Sequence, residues 1–275
     1  MKKKIFTLFL AVIFVMAPVF AKVDRTSENY LVTKKHFSVM SPLVSYAAKK
    51  VIKRQLKKET GANFNVKFKG YTVSSMKAGV FKDLEITGKK VTISDIYIPY
   101  IKLKTVSEYN WIDYTQNPPA FKSNMDFAYN MHLSEKSLND ALSTNEYQEV
   151  IRKLNRNFYP IISIYNIKIE LKDSLANIAL EYNIPLRPFP KNKVIRLTSE
   201  FKVVNGKINA TNVTVDSRYG NLPIAKITNL LNILNPLSFT IGLVGDKKCD
   251  GKIENIKIVD DIIQINGRIF VEGDN

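Results

Sequence analysis

An α+β fold, in which a long, strongly curved antiparallel β-sheet wraps around an N-terminal amphipathic helix with two further helices, is predicted by three observations. Short segments throughout the chain carry apolar residues at every second position, with Lys, Asn, Asp or Thr between them, as one-faced strands do. Most are joined by short turn sequences such as Asn205-Gly206, which favours antiparallel pairing. A helical apolar pattern precedes them. About ten strands on one sheet must curl or be covered, so helices at the front, the middle and near the end are expected to close over the sheet and leave an apolar trough.

Taken in order, the chain opens with MKKKIFTLFLAVIFVMAPVFA: Lys2, Lys3 and Lys4, an apolar run from Ile5 to Phe20, and small residues Val19 and Ala21 before a cleavage point. That is the pattern of a secretory signal peptide over residues 1–21, which places the protein in the periplasm or cell envelope. The apolar run is also close to the minimum for a membrane span, so an uncleaved segment would serve as an N-terminal anchor. The rest, residues 22–275, holds no Gly/Ser or Pro-rich linker and reads as a single elongated domain.

From Lys34 to Glu59 a helix is expected, with Phe37, Met40, Val44, Ala47, Val51 and Leu56 on its apolar side and a basic opposite face. Met40, Val44 and Val51 are thus candidates to line the trough, whereas Lys49, Lys50, Lys53 and Arg54 are candidates for contact with an anionic membrane. Strands follow at Asn63 to Phe68, Gly79 to Thr87, Val91 to Lys104 and Asp126 to Leu133. The long VTISDIYIPYIKLK changes phase at Asp95 and near Pro99, as bulges that bend a sheet would make it do. Between these strands, Glu108 to Asn117 groups Tyr109, Trp111 and Tyr114, and Trp111 is a candidate for the membrane interface, with ordinary packing as its competing reading.

Ser134 suits an N-cap, with Glu135 in the first turn of a helix running to Asn155 and a break near Ser143 to Asn145. Two alternating strands follow, one with Ile167, Ile169 and Leu171 on its apolar side, one with Ile178, Leu180, Tyr182 and Ile184. PLRPFPKN reads as a turn or edge segment, and strands resume at Arg196. From Phe201 to Val271 one-faced strands, with Phe201, Ile263 and Ile265 on the apolar side, are interrupted by the apolar helical segment LPIAKITNLLNILNP. Ile167, Ile169, Leu171, Phe201, Ile263 and Ile265 complete the candidate trough lining.

Composition narrows the partners. The formal charge is +16; the three lysines of the leader remove three of those charges, so the mature chain carries +13. Such a surface favours phospholipid headgroups or other envelope phosphates, and export argues against nucleic acid; an AT-rich genome, which enriches Lys, Asn and Ile, accounts for part of the charge without any partner. The lone Cys249 forms no internal disulfide, so the core must stabilise the fold.

No Gly-rich phosphate loop, GxSxG, HExxH or CxxC occurs. His36 and His132 lack metal-ligand spacing, and Asp260-Asp261 fits a hairpin turn better than acid–base work. The sequons at Asn209 and Asn212 fall on a tightly alternating strand. No catalytic residue, cofactor or metal site is therefore expected, and the chain reads as a binding protein rather than an enzyme.

Three blocks carry a resemblance: the N-terminal amphipathic helix followed by MKAGVFKDLEITGKKVTI, the central HLSEKSLNDAL, and the closing VVNGKINATNVTVDS, LPIAKITNLLNILNP and IVDDIIQINGRIFV. Together they resemble the LmeA-like phospholipid-binding proteins, exported bacterial proteins related in shape to the tubular lipid-binding (TULIP) folds. The stretch from Ser107 to Lys122 is longer here, and the chain is more basic. The resemblance implies a TULIP-like sheet around the helix, acyl chains of a phospholipid or similar amphiphile in the trough, and a part in lipid transfer or envelope homeostasis. The competing reading is a structural or adhesion protein of the envelope whose sheet is filled by its own side chains.

Overall fold

A computed structural model describes residues 41–93, 95–113, 120–158, 163–186, 193–216 and 249–273. The elements in chain order are α1 (Ser41–Thr60), β1 (Phe64–Lys69), α2 (Val73–Lys77), β2 (Val80–Phe81), β3 (Asp83–Ile93), β4 (Ile96–Thr105), β5 (Asn110–Asp113), β6 (Ala120–Phe121) and β7 (Met125–Ser134). They continue with α3 (Glu135–Leu142), α4 (Asn145–Phe158), β8 (Ser163–Lys172), β9 (Leu175–Asn183), β10 (Lys193–Val204), β11 (Lys207–Asp216), β12 (Cys249–Val259) and β13 (Ile262–Val271). The chain is α+β and mostly antiparallel β. The described strands form a six-stranded sheet in the order β1-β3-β4-β7-β13-β12, a four-stranded sheet β11-β10-β9-β8 and a small sheet β2-β5-β6. The expected leader, the start of the expected first helix up to Met40, LPIAKITNLLNILNP and most of PLRPFPKN lie outside the described residues.

Turn chemistry sets the hairpins. Asp173-Ser174, Asn205-Gly206 and Asp260-Asp261 all have positive φ at both positions, the condition of the tight turns whose twist matches that of paired strands. Asp260-Asp261 is thus a turn, as its sequence suggests, and it joins β12 to β13 with Val259 opposite Ile262.

The predicted single strand over VTISDIYIPYIKLK is two strands. Its phase change at Asp95 is a reversal, with Ile93 paired to Ile96 across it and Asp95 at φ 68. The second change is a kink shared by both strands: pairing passes from Lys89↔Tyr100 to Val91↔Ile98, and the omitted position sets Pro99, which has no N–H to donate, opposite Lys90 at φ 51. On β3 the buried set moves there from Leu84, Ile86 and Gly88 to Val91 and Ile93, so the hairpin changes which residues it turns inward. Its tip then reaches α3, where the Tyr97 N–H donates to Asp140 Oδ2 at 3.1 Å.

Helix α1 covers one end of the large sheet. Ala48, Ile52 and Leu56 are buried at steps of four, one stripe of a helix, and α1 packs on β1. The Ser45 hydroxyl donates to Met76 Sδ at 3.5 Å near one end of α1, and the other end passes through Gly61 into β1. At Gly61 φ is 70, and its N–H donates to the Lys57 carbonyl at 2.8 Å, the left-handed close that glycine permits. The expected stripe holds at Leu56 and is one residue out of phase before it: Val51 is 41% exposed, and Ala47 is exposed as well.

Ser134 caps α3 as expected, accepting from the Ser137 N–H while Ser137 Oγ accepts from the Ser134 N–H. The helix stops where Ser143 and Thr144 turn their hydroxyls back onto the carbonyls of Asn139 and Ala141, the competition with the backbone that these residues favour. Helix α4 then buries Tyr147, Ile151 and Leu154, with Glu149, Arg152, Lys153 and Arg156 exposed. The centre is β7 against β13, where Met125, Phe127, Tyr129, Met131 and Leu133 alternate with half-buried residues and face a β13 row that includes Ile263, Ile265 and Val271 at 0% exposure. One hydrophobic cluster runs from α1 through both large sheets. The sheets are linked by α3, which packs on β4, β7 and β8, and by the Ile253 N–H, which donates to the Gly206 carbonyl at 3.3 Å.

Candidate functional site

The candidate trough residues divide into distinct settings. Met40 lies outside the described residues, and of Val44 only its place in α1 is described. Val51 faces outward on α1, so it is removed from the apolar lining: the packed stripe passes through Ile52 instead. Ile263 and Ile265 are sealed in the middle of the large sheet, while Ile169, Leu171 and Phe201 are buried on the four-stranded sheet. Ile167 is half-buried. It lines a recess of about 50 Å³ between α3, α4 and β8, together with Leu142, Ser143, Tyr147, Gln148 and Ile164. A volume of that order accommodates a water or a small group, far short of an acyl tail. Burial pushes the Tyr147 phenol well above its ordinary range, so it stays neutral beside the recess.

Strand β8 is the outer strand of its sheet, and its free backbone edge is held by two asparagines. Asn139 of α3 donates from Nδ2 to the Ile169 carbonyl at 2.8 Å and accepts the Ile169 N–H on Oδ1 at 3.1 Å. Asn155 of α4 repeats the arrangement at Ile164, at 2.6 and 2.8 Å. Each side-chain amide thus stands in for a neighbouring strand, meeting the row of unpaired groups that an edge presents. A register shift between Ile164 and Asn166 inserts Tyr165 as an extra residue between the two clamped positions. Neither asparagine was singled out in the sequence. Their signal is position: asparagine is a poor helix former, so two inside amphipathic helices point to a polar task.

The candidate membrane-contact residues are also divided. Lys50, Lys53 and Arg54 are exposed on α1 and Lys49 is half-buried, and the same helix adds exposed Lys57 and Lys58. Tyr46, 65% exposed, lies three, four, seven and eleven residues before Lys49, Lys50, Lys53 and Lys57, on the same face. Trp111 sits elsewhere. It is half-buried in β5, its indole N–H donates to the Ala78 carbonyl at 3.1 Å and its backbone N–H to Ser123 Oγ at 2.8 Å. The polar edge that an interfacial tryptophan turns toward water is therefore engaged inside the fold.

On the wet face of the large sheet, Glu85 joins three strands, with Oε1 2.8 Å from Lys67 Nζ and Oε2 3.0 Å from Lys102 Nζ. The Lys67 hydrogen bond, then that of Lys102, holds its carboxyl below the usual range. His132 stacks beside Tyr100 with ring centres 4.8 Å apart, and burial lowers its pKa, so it is a strand residue in a ring contact. Among the described residues no group of three His, Cys, Asp or Glu side chains is placed to hold a metal ion. No family model, no curated protein and no solved structure matches the chain.

Proposed function

We propose that this chain is an exported envelope protein that binds a phospholipid or similar amphiphile through an apolar face of its sheets, in an LmeA-like and TULIP-like manner, for lipid transfer or envelope homeostasis. The observation that carries the reading is the one-sidedness of the strands: β7, β9 and β13 each bury every second residue over most of their length. The apolar faces of both large sheets join one cluster. The leader-like residues 1–21 supply the export. Each methylene moved from water to an apolar site gains about 0.8 kcal/mol, so a sixteen-carbon tail gains on the order of 10 kcal/mol relative to water. Relative to a bilayer the gain is close to zero, which suits a protein that must load and release its lipid.

The test is native mass spectrometry of the protein purified from membranes, paired with extraction of fluorescent phospholipid from vesicles. Bound lipid and measurable extraction are expected. A ligand-free protein that extracts nothing overturns the reading. The second reading, a structural or adhesion protein with a filled core, is favoured by one observation: Ile263 and Ile265, both candidate lining residues, are at 0% exposure among the protein's own side chains.

A further inference from the structure

We infer that α1 is a peripheral docking surface for an anionic lipid bilayer, and that it binds through charge and one tyrosine rather than by insertion. The inference rests on the envelope reading for its choice of partner, whereas its physical basis is independent of any lipid held inside the protein. Two facts about α1 decide the mode. Its packed stripe, Ala48, Ile52 and Leu56, is buried against the sheet, so among the described residues only Ala47 and Val51 beside Tyr46 remain as outward apolar side chains, short of the continuous apolar face that an inserting amphipathic helix requires. No helix among the described residues is long and apolar enough to cross a membrane.

What α1 turns outward is Lys50, Lys53, Arg54, Lys57 and Lys58, with Lys49 at the margin. Among the described residues no carboxylate pairs with any of the six, in contrast to Lys67 and Lys102, which both pair with Glu85. A helix in its place with i,i+4 acidic partners would have been a solvated surface helix; here, among the described residues, the basic groups share one side of the helix without acidic partners. Tyr46 sits within that side at 65% exposure, and a tyrosine among lysines places an amphipathic ring at headgroup depth.

Phosphate-bearing headgroups are the partner that this chemistry fits. Each basic residue near an anionic leaflet strengthens binding about fivefold, screened by salt.

The experiment is co-sedimentation of the mature chain with phosphatidylcholine vesicles and with vesicles containing about one third phosphatidylglycerol. Binding to the anionic vesicles alone, released by raised salt, is expected. The triple variant Lys50→Gln, Lys53→Gln, Lys57→Gln should lose on the order of a hundredfold in partition coefficient. Removing three exposed lysines elsewhere, Lys172→Gln, Lys207→Gln, Lys257→Gln, should cost much less, and Tyr46→Ser should weaken binding with little change in its salt dependence. Equal loss in the two triple variants assigns the effect to net charge and overturns the inference. So does the absence of vesicle binding in a protein that still extracts phospholipid, or salt-resistant binding that reports insertion. Docking by a protein that carries and extracts no lipid supports the inference while removing the amphiphile-binding reading, so the two fail separately.

Discussion

The centre of the large sheet and the outer strand of the smaller one solve the same problem, that of satisfying a β-strand, by opposite means. Strands β7 and β13 meet along ten consecutive pairs from Met125↔Val271 to Ser134↔Ile262, so backbone answers backbone and the apolar rows close over each other. Strand β8 has backbone on one side only. On the other, Asn139 and Asn155 supply its partners from two helices, and the intervening Tyr165 is an extra residue beside a small recess. The centre is therefore held by area and continuity, the edge by a few directional bonds that two helices must keep in place. Strand β8 also buries Ile164, Ile169 and Leu171, so local opening along its outer edge depends on whether the two helices keep the individual hydrogen bonds in place.

The largest expected effect lies at the centre. Ile265→Ala removes a fully sealed side chain and should destabilise the protein by about 4 kcal/mol in urea unfolding, with amide exchange accelerated throughout both large sheets. A loss below about 1 kcal/mol would show that the centre relaxes around cavities and that the contrast with the edge is false. Next comes Gly267→Ala. A Cβ there would meet the Lys252 carbonyl and the Tyr129 ring that lies across from it, and backbone displacement of that kind costs about 2–3 kcal/mol.

At the edge, Asn139→Ala should cost about 2 kcal/mol by leaving the Ile169 N–H and C=O without partners. Its signature is local: hydrogen exchange rises at Ile169 first, while β7 and β13 keep their protection. Asn139→Asp sharpens the point, because a carboxylate still accepts the N–H but repels the carbonyl. If Asn139→Ala loosens the centre as much as the edge, the helices and β8 unfold as one unit with the core and the comparison is broken.

The smallest effect concerns the ion group on the wet face. Lys67 and Lys102 lower the folded-state pKa of Glu85, so its contribution is present above the ordinary value of 4.5 and is lost as pH falls through the lowered folded value. Stability measured across that acid range should decline less steeply in Glu85→Gln than in the parent chain. An identical acid limb would show the group to be without net effect, as exposed ion pairs often are.

Strand alternation was legible from residue types because burial on one face imposes a period of two, and the β7, β9, β10 and β13 patterns are of that kind. The Ser134 cap and the Asn205-Gly206 and Asp260-Asp261 turns were legible for a similar reason: short polar side chains and glycine carry their own local conformations. The helix phase in α1 was not. Ala47, Ala48, Val51 and Ile52 offer two apolar stripes one residue apart, and only contact with β1 selects Ala48 and Ile52. Nor was the hairpin within VTISDIYIPYIKLK legible, since an apolar run without Gly reads as continuous until Ile93 is seen to pair with Ile96.

The amino-acid sequence by itself determined the α+β class, the one-faced strands, the turn positions, the basic character and the leader pattern, because each depends on neighbours within a few residues. Tertiary structure alone decided which side of α1 is buried, that the Trp111 indole bonds inward, and that two helix asparagines complete the β8 edge. Those depend on what a residue meets across tens of positions in the chain: Ile169 lies thirty residues from Asn139, and no local pattern encodes that meeting.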